Sequence, residues 1–224
     1  MLTCSAILFD LDGVLVDSTP AVERVWRKWA EDHNIDPDYV MQWAHGRRSI
    51  ETLRRVAPYM DAAKENLNVE RREIEDLEGV IKIEGASELL ASIPPDRWTI
   101  VTSATRPLAE ARMNYVGLPL PKDAITAELV ERGKPHPEPY LKGAQLLGFP
   151  ASECIVVEDT AAGIAAAKAA GMMAIGLTTT YPAHDLREAD VVVRSCADIR
   201  VEVKEGEEDD LKLQLYFEYS PAEI

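Results

Sequence analysis

Five short apolar runs recur along the chain, at residues 6 to 10 (AILFD), 98 to 103 (WTIVTS), 154 to 159 (CIVVED), 172 to 177 (MMAIGL) and 189 to 193 (ADVVV). They are rich in Val and Ile and do not alternate with polar residues, which is the pattern of strands covered on both faces. Between them lie stretches with helical spacing, GASELLASI, RPLAEARMNYVG, PEPYLKGAQLLG and TAAGIAAAKAAG, three of which end in the glycine that commonly closes a helix. Strand and helix in alternation predict an α/β fold, with a Rossmann-like parallel sheet and helices on both of its faces.

Residues 18 to 84 break this rhythm. The region is poor in strand patterns and carries Glu, Arg, Lys, Trp and Ala at amphipathic helical spacing. STPAVERVWRKWAEDH and SIETLRRVAP each open on a Ser or Thr able to cap a helix, and Pro37, Pro58 and Gly79 punctuate the segment. A helical insertion over residues 18–84 is expected, leaving residues 1–17 and 85–224 for the α/β core. Trp26, Trp29 and Trp43 read as packing residues of these helices. After residue 200, VEVKEGEEDDLKLQLYFEY reads as two short alternating strands around an acidic turn, a hairpin expected on the sheet edge.

Composition narrows the class. With 46% hydrophobic and 28% charged residues among 224, the chain can bury a full core and is neither disordered nor of low complexity. No apolar run approaches the ~20 residues that a membrane helix needs. The start, MLTCSAILFD, has no basic stretch and reaches an aspartate within ten residues, so it reads as a buried strand and a cytoplasmic protein is expected. Cys4, Cys154 and Cys196 lack metal-type spacing and read as reduced, packed thiols. A net charge of −15 disfavours nucleic acid and anionic membranes as partners. A small molecule is the expected partner, and the chain is expected to be a monomer or weak dimer.

In parallel sheets ligands bind beyond the carboxyl ends of the strands, and chemistry-bearing residues collect there. Asp10 and Asp12 follow the first apolar run in FDLDGVLVDS; as a surface turn their mutual repulsion would be costly, whereas a bound cation would offset it. Glu158 and Asp159 close the run VVED ahead of a helix, where an acid can equally serve as a cap. Taken together, Asp10, Asp12, Glu158 and Asp159 offer oxygen ligands without His or Cys, which specifies a hard ion such as Mg²⁺. Ser103, in IVTSAT, offers a hydroxyl and the backbone N–H groups of the next turn, Ala104 included, to phosphate oxygens. Lys134, in RGKPHPEPY, is a point charge held among prolines, and His136 reads as a loop residue.

In this order, an Asp-x-Asp-Gly loop, a strand-terminal Ser, a Lys and an acidic pair resemble the motifs of the haloacid dehalogenase superfamily over essentially the whole chain. The helical insertion looks like the cap of the β-phosphoglucomutase-like subgroup. HGRRSIETL, RGKPHPEPYLKGAQLLGFP, VVEDTAAGIAAAKAAG and SCADIRVEV are similar to the glycerol-1-phosphatase and 2-deoxyglucose-6-phosphatase group. The resemblance implies a Mg²⁺-dependent phosphatase acting on a small sugar or polyol phosphate. By it Asp10 is the nucleophile, Asp12 the general acid and base, Ser103 and Lys134 the phosphate clamp, and Glu158 with Asp159 the metal end. His45, Gly46, Arg47 and Arg48 of the insertion, together with Ala104 and Arg106, are the candidates for substrate contact. A sugar phosphomutase would use the same residues and return the phosphoryl group to a second hydroxyl. A phospho-accepting receiver combines similar residues, but at about half this length and with the acidic pair first. A non-catalytic binding protein would be expected to lack one of these motifs.

Overall fold

A computed structural model describes residues 1–44, 46–205 and 211–218. The chain opens with β1 (Leu2–Cys4), β2 (Ala6–Phe9) and a two-residue β3 (Val16–Asp17), then runs through four helices, α1 (Thr19–Asp32), α2 (Pro37–Ala44), α3 (Ser49–Val56) and α4 (Ala62–Glu75). β4 (Ile81–Lys82) returns to pair antiparallel with β3. Alternation then sets in: α5 (Ala86–Ala91), β5 (Trp98–Ile100), α6 (Arg106–Val116), α7 (Glu138–Leu147), β6 (Cys154–Glu158), α8 (Ala161–Ala169), β7 (Met173–Leu177) and β8 (Val191–Val193). β9 (Ile199–Glu205) and β10 (Leu211–Phe217) complete the described chain.

The predicted parallel sheet is present, in the order β5-β2-β6-β7-β8. Apart from Thr99 in β5 and Glu158 at the end of β6, its strands are apolar because both faces are covered. Ile7 and Phe9 of β2 pack with Leu89, Leu108 and Met113 of α5 and α6, while Ala6 and Leu8 pack with Tyr140, Ala144 and Ile164 of α7 and α8. The two-residue period of the strand thus feeds two cores at once. The helices between Thr19 and Glu75 keep a separate apolar cluster around Trp26, Trp29, Val40, Leu53 and Val69. They follow β2, the second strand of the sheet and a neighbour of the central β6, and this brings them over its carboxyl edge.

The C-terminal strands depart from expectation. β9 and β10 pair antiparallel and β10 pairs with β1, forming a second, three-stranded sheet apart from the edge of the parallel one. Val201, Leu213 and Leu215 turn inward onto the core beside α5, and a strand edge for them to join is supplied by Leu2–Cys4. The acidic turn expected between the two strands lies outside the described residues. All three cysteines are free and buried, and burial pushes the Cys154 thiol up to about 11. Among the described residues no helix is long and apolar enough to cross a membrane.

Candidate active site

Asp10 emerges from β2 with its N–H bonded to the carbonyl of Val157 at 3.0 Å, so the ends of β2 and β6 stay in register just where both strands deliver acids. Lys134, only 2% exposed, reaches into this corner from the loop before α7. Its ammonium donates to Asp10 Oδ1 at 2.7 Å, Glu158 Oε1 at 2.7 Å and the Val101 carbonyl at 3.2 Å, so all three protons are used. Glu158 Oε1 also accepts from the Tyr140 hydroxyl at 2.8 Å. Its Oε2 accepts from the N–H groups of Asp159 and Thr160 and from the Thr160 hydroxyl, each at 2.9 Å. Glu158 is therefore saturated by donors, and its geometry is that of an anchor for Lys134 and for the start of α8.

Asp159 is the opposite case. It is buried, the Thr180 hydroxyl bonds its carboxylate, and its Oδ1 has no hydrogen-bond partner. Burial, reinforced by the charges of Glu158 and Asp10, pushes its carboxyl well above the ordinary range. Asp10 is raised as well, mainly by burial and against the pull of Lys134. Glu158 is held low by Lys134 and its other donors in spite of burial. Carboxylate oxygens of Asp10, Glu158 and Asp159 lie within 4.8 Å of one another. Three carboxylates facing one ammonium in a buried corner leave an excess of negative charge, and the orphaned Oδ1 of Asp159 offers an open ligand. A hard divalent cation fits both. Gly13 lets the loop pass: a Cβ there would lie 2.0 Å from Asp159 Oδ2, and its φ of +79° is one that L residues rarely adopt.

Asp12 stands at the same strand end, nearer the insertion. Ser18 donates to its Oδ1 at 2.7 Å, and Arg112 of α6 donates to its Oδ2 at 2.9 Å. Arg112 is itself buried, with its other nitrogen 3.6 Å from Glu73 of α4. Burial, against the pull of Arg112, holds the Glu73 carboxyl up to about 7. Ser103 donates to the Gly46 carbonyl at 3.3 Å, which brings the insertion directly onto the second strand-end loop.

These groups surround one cavity of about 60 Å³, lined by Asp10, Asp12, Ser103, Ala104 and Asp159 from the core and by Gly46, Arg47, Ser49 and Glu73 from the insertion. Lys134 and Glu158 lie beneath its floor. Three of the groups expected at the substrate are engaged elsewhere: the Ala104 N–H donates to Thr102 Oγ1 at 3.0 Å, and two arginines bond other partners. Arg48 pairs with Glu51 and donates to the Val130 and Glu131 carbonyls at 2.9 Å, tying the insertion to the core. Arg106 donates to the Lys122 carbonyl at 2.6 Å and to Glu110 at 3.2 Å. His45 lies outside the described residues.

Sequence reasoning did not single out Arg112, Glu73, Thr180 or Tyr140. A signal existed for the first two. Arg112 stands four residues after Leu108 and beside Met113, and Glu73 stands four residues after Val69, so each is a charge on a buried helical stripe.

Residues 4–171 match the family model described as haloacid dehalogenase-like hydrolase. The chain is 44% identical over 206 residues to hexitol phosphatase A of Escherichia coli (strain K12), covering 88% of this chain and 94% of that protein. It is 38% identical to glycerol-1-phosphate phosphohydrolase 2 of Saccharomyces cerevisiae, over 94% of this chain and 90% of the yeast one. Its structure resembles that of β-phosphoglucomutase from Clostridium difficile, with a TM-score of 0.74 at 25% identity over 86% of this chain and 92% of the other. Strand-end acids, buried lysine and inserted helices thus occur in a chain that belongs to the haloacid dehalogenase-like hydrolases and is a phosphatase of that family.

Proposed function

We propose that the protein hydrolyses a small polyol or sugar phosphate with Mg²⁺ as cofactor, passing the phosphoryl group through Asp10 to water. The observation that carries this reading is the pairing of Asp10 with Lys134 beside the unpartnered Oδ1 of Asp159, at the floor of a cavity that also receives Asp12 and Ser103. Phosphatases acting on a hexitol phosphate and on glycerol 1-phosphate among the relatives support the substrate class.

Asp10 and Asp159 would hold the ion, with Asp12 and Glu158 close by, and its charge would offset that of the transferring phosphoryl oxygens. The Asp10 carboxylate attacks phosphorus, and the bond to the leaving oxygen breaks. Lys134 keeps the attacking carboxylate fixed in direction. Ser103 would give its hydroxyl to a phosphoryl oxygen, and the N–H of Ala104, which donates to Thr102 Oγ1 at 3.0 Å, would have to exchange that partner to do the same. Asp12 gives its proton to the departing alkoxide, a leaving group that departs poorly without one, and then takes a proton from the water that attacks the aspartyl phosphate. Helices α1–α4, within the inserted residues 18–84, exclude bulk water from the first step and present Arg47 and Gly46 to the substrate.

The test is phosphate release from a panel of phosphate esters in Mg²⁺, comparing the wild type with Asp10→Asn, together with mass spectrometry of the acid-quenched wild type. Phosphate release confined to the wild type and a phosphorylated peptide containing Asp10 are expected. Hydrolysis that survives Asp10→Asn contradicts the reading.

A further inference from the structure

Charged groups are rare on buried helical stripes, because leaving water costs several kcal/mol unless a partner compensates (roughly, for an ion). Arg112 and Glu73 are each 3% exposed, on α6 of the core and α4 of the insertion. Arg112 also keeps a buried Nε without any hydrogen-bond partner. Packing alone does not account for a guanidinium held at that cost. Its contacts do: one nitrogen on Asp12 Oδ2 at 2.9 Å, another 3.6 Å from Glu73 Oε1.

This arrangement constrains Asp12. A guanidinium donates and never accepts, so the oxygen it holds is committed as an acceptor. A proton to be transferred must then sit on Oδ1, where the Ser18 hydroxyl lies at 2.7 Å and is free to turn from donor to acceptor. The rigid, planar guanidinium joins the two carboxylates, with one nitrogen on Asp12 and another facing Glu73, so a shift of either is passed to the other. Glu73 forms the far side of the seat, and it comes from the insertion. If the insertion lifts, the guanidinium loses that side and the carboxylate it aims is released.

Resting on the reading of Asp12 as the acid for the leaving oxygen, we propose that Arg112 is a positioning residue that aims Asp12 Oδ1 at that oxygen. Glu73 is the insertion's half of the same device, so that the acid is set when the helices cover the site.

The discriminating measurement is leaving-group dependence in single-turnover reactions with excess enzyme and Mg²⁺. Glycerol 1-phosphate must be protonated as it leaves, whereas p-nitrophenolate leaves unaided. Arg112→Met is expected to slow cleavage of glycerol 1-phosphate about 100-fold, the usual size of an effect from a misplaced catalytic group, while slowing the p-nitrophenolate burst less than about 5-fold on the same grounds. Arg112→Lys should recover part of the loss. Glu73→Gln, which keeps the volume, should show about a 10-fold loss confined to glycerol 1-phosphate, and it decides by the same criterion if Arg112→Met does not fold. Equal losses on both esters mean that Arg112 serves only the architecture, and an unchanged glycerol 1-phosphate rate is equally fatal. Asp12→Asn run alongside separates the two levels. Its loss must also be selective for the alkyl ester; if it is, and that of Arg112→Met is not, the assignment of Asp12 stands and the positioning role of Arg112 falls.

Discussion

On the sheet side of the cavity, Asp10, Lys134 and Glu158 are almost wholly buried, and every proton of the lysine and both oxygens of Glu158 are engaged. On the insertion side, Gly46, Arg47 and Ser49 are half-buried, and Arg47 lies over the Trp43 ring with its guanidinium carbon 5.6 Å from the centroid. The first wall is a saturated network that cannot shift without leaving a charge unpaired. The second is held at fewer points, by the Ser103 bond to Gly46, the Arg48 bonds to Val130 and Glu131 and the Glu73–Arg112 pair, while Arg47 itself has only weak cation–π contact. Phosphoryl chemistry needs the same geometry whatever the ester, while recognition of the alcohol must differ from one relative to another. On the proposed function the two walls divide those tasks.

The largest expected effect comes from breaking the rigid wall. Lys134→Ala leaves two buried carboxylates without their cation, and removal of one member of such a pair costs about 3–5 kcal/mol. Urea unfolding should show that loss, together with phosphate release reduced by about 10³-fold or more. Retention of wild-type stability would mean that the network is looser than its distances indicate.

Asp159→Asn sharpens the contrast within the same wall. It removes a buried carboxyl whose ionisation is disfavoured by folding, so at neutral pH the variant should melt above the wild type in EDTA. The stabilisation that Mg²⁺ gives the wild type should vanish in it. Thermal melting with and without Mg²⁺ reads both effects, and neither requires turnover.

A third effect lies at the boundary between the walls and depends on pH. Glu73 titrates at about 4.5 when unfolded and is held up to about 7 when folded, chiefly by burial. Between these values the folded state binds more protons, so its stability falls as pH rises through that window, and the full cost is felt above pH 7. Glu73→Gln should therefore match the wild type in melting temperature near pH 4 and exceed it increasingly up to about pH 8. A constant difference across that range would place the Glu73 carboxyl in water.

Arg47→Ala should have the smallest effect. It is expected to change kcat/KM by about 10-fold and to reorder preference among polyol and sugar phosphates, with melting unchanged. An unaltered substrate ranking would remove Arg47 from the recognition surface.

Much of this architecture was legible because burial on both faces demands uninterrupted apolar strands. Ala6–Phe9 and Cys154–Glu158 carry that mark, and the acids that interrupt them stand where the sheet ends. β1 was not legible: three residues whose partner, β10, lies some two hundred positions away leave no local pattern. Arg48 and Arg106 were expected at the substrate because they neighbour strand-end or insertion motifs. Spacing cannot show that backbone carbonyls at Val130, Glu131 and Lys122 lie within their reach. Arg112 and Glu73 were missed for the converse reason. A single charge on an apolar stripe carries meaning only when its partner, on another helix, is known.

The hydroxyl of Ser103 has a single proton, which in this structure is given to the carbonyl of Gly46. On the proposed reading, a phosphoryl oxygen that accepts from the same serine would take that proton from the Gly46 carbonyl, breaking one of the threads that join the helices to the sheet. The Arg48 bonds to the Val130 and Glu131 carbonyls would then be left to hold the helices over the core while that proton changes hands.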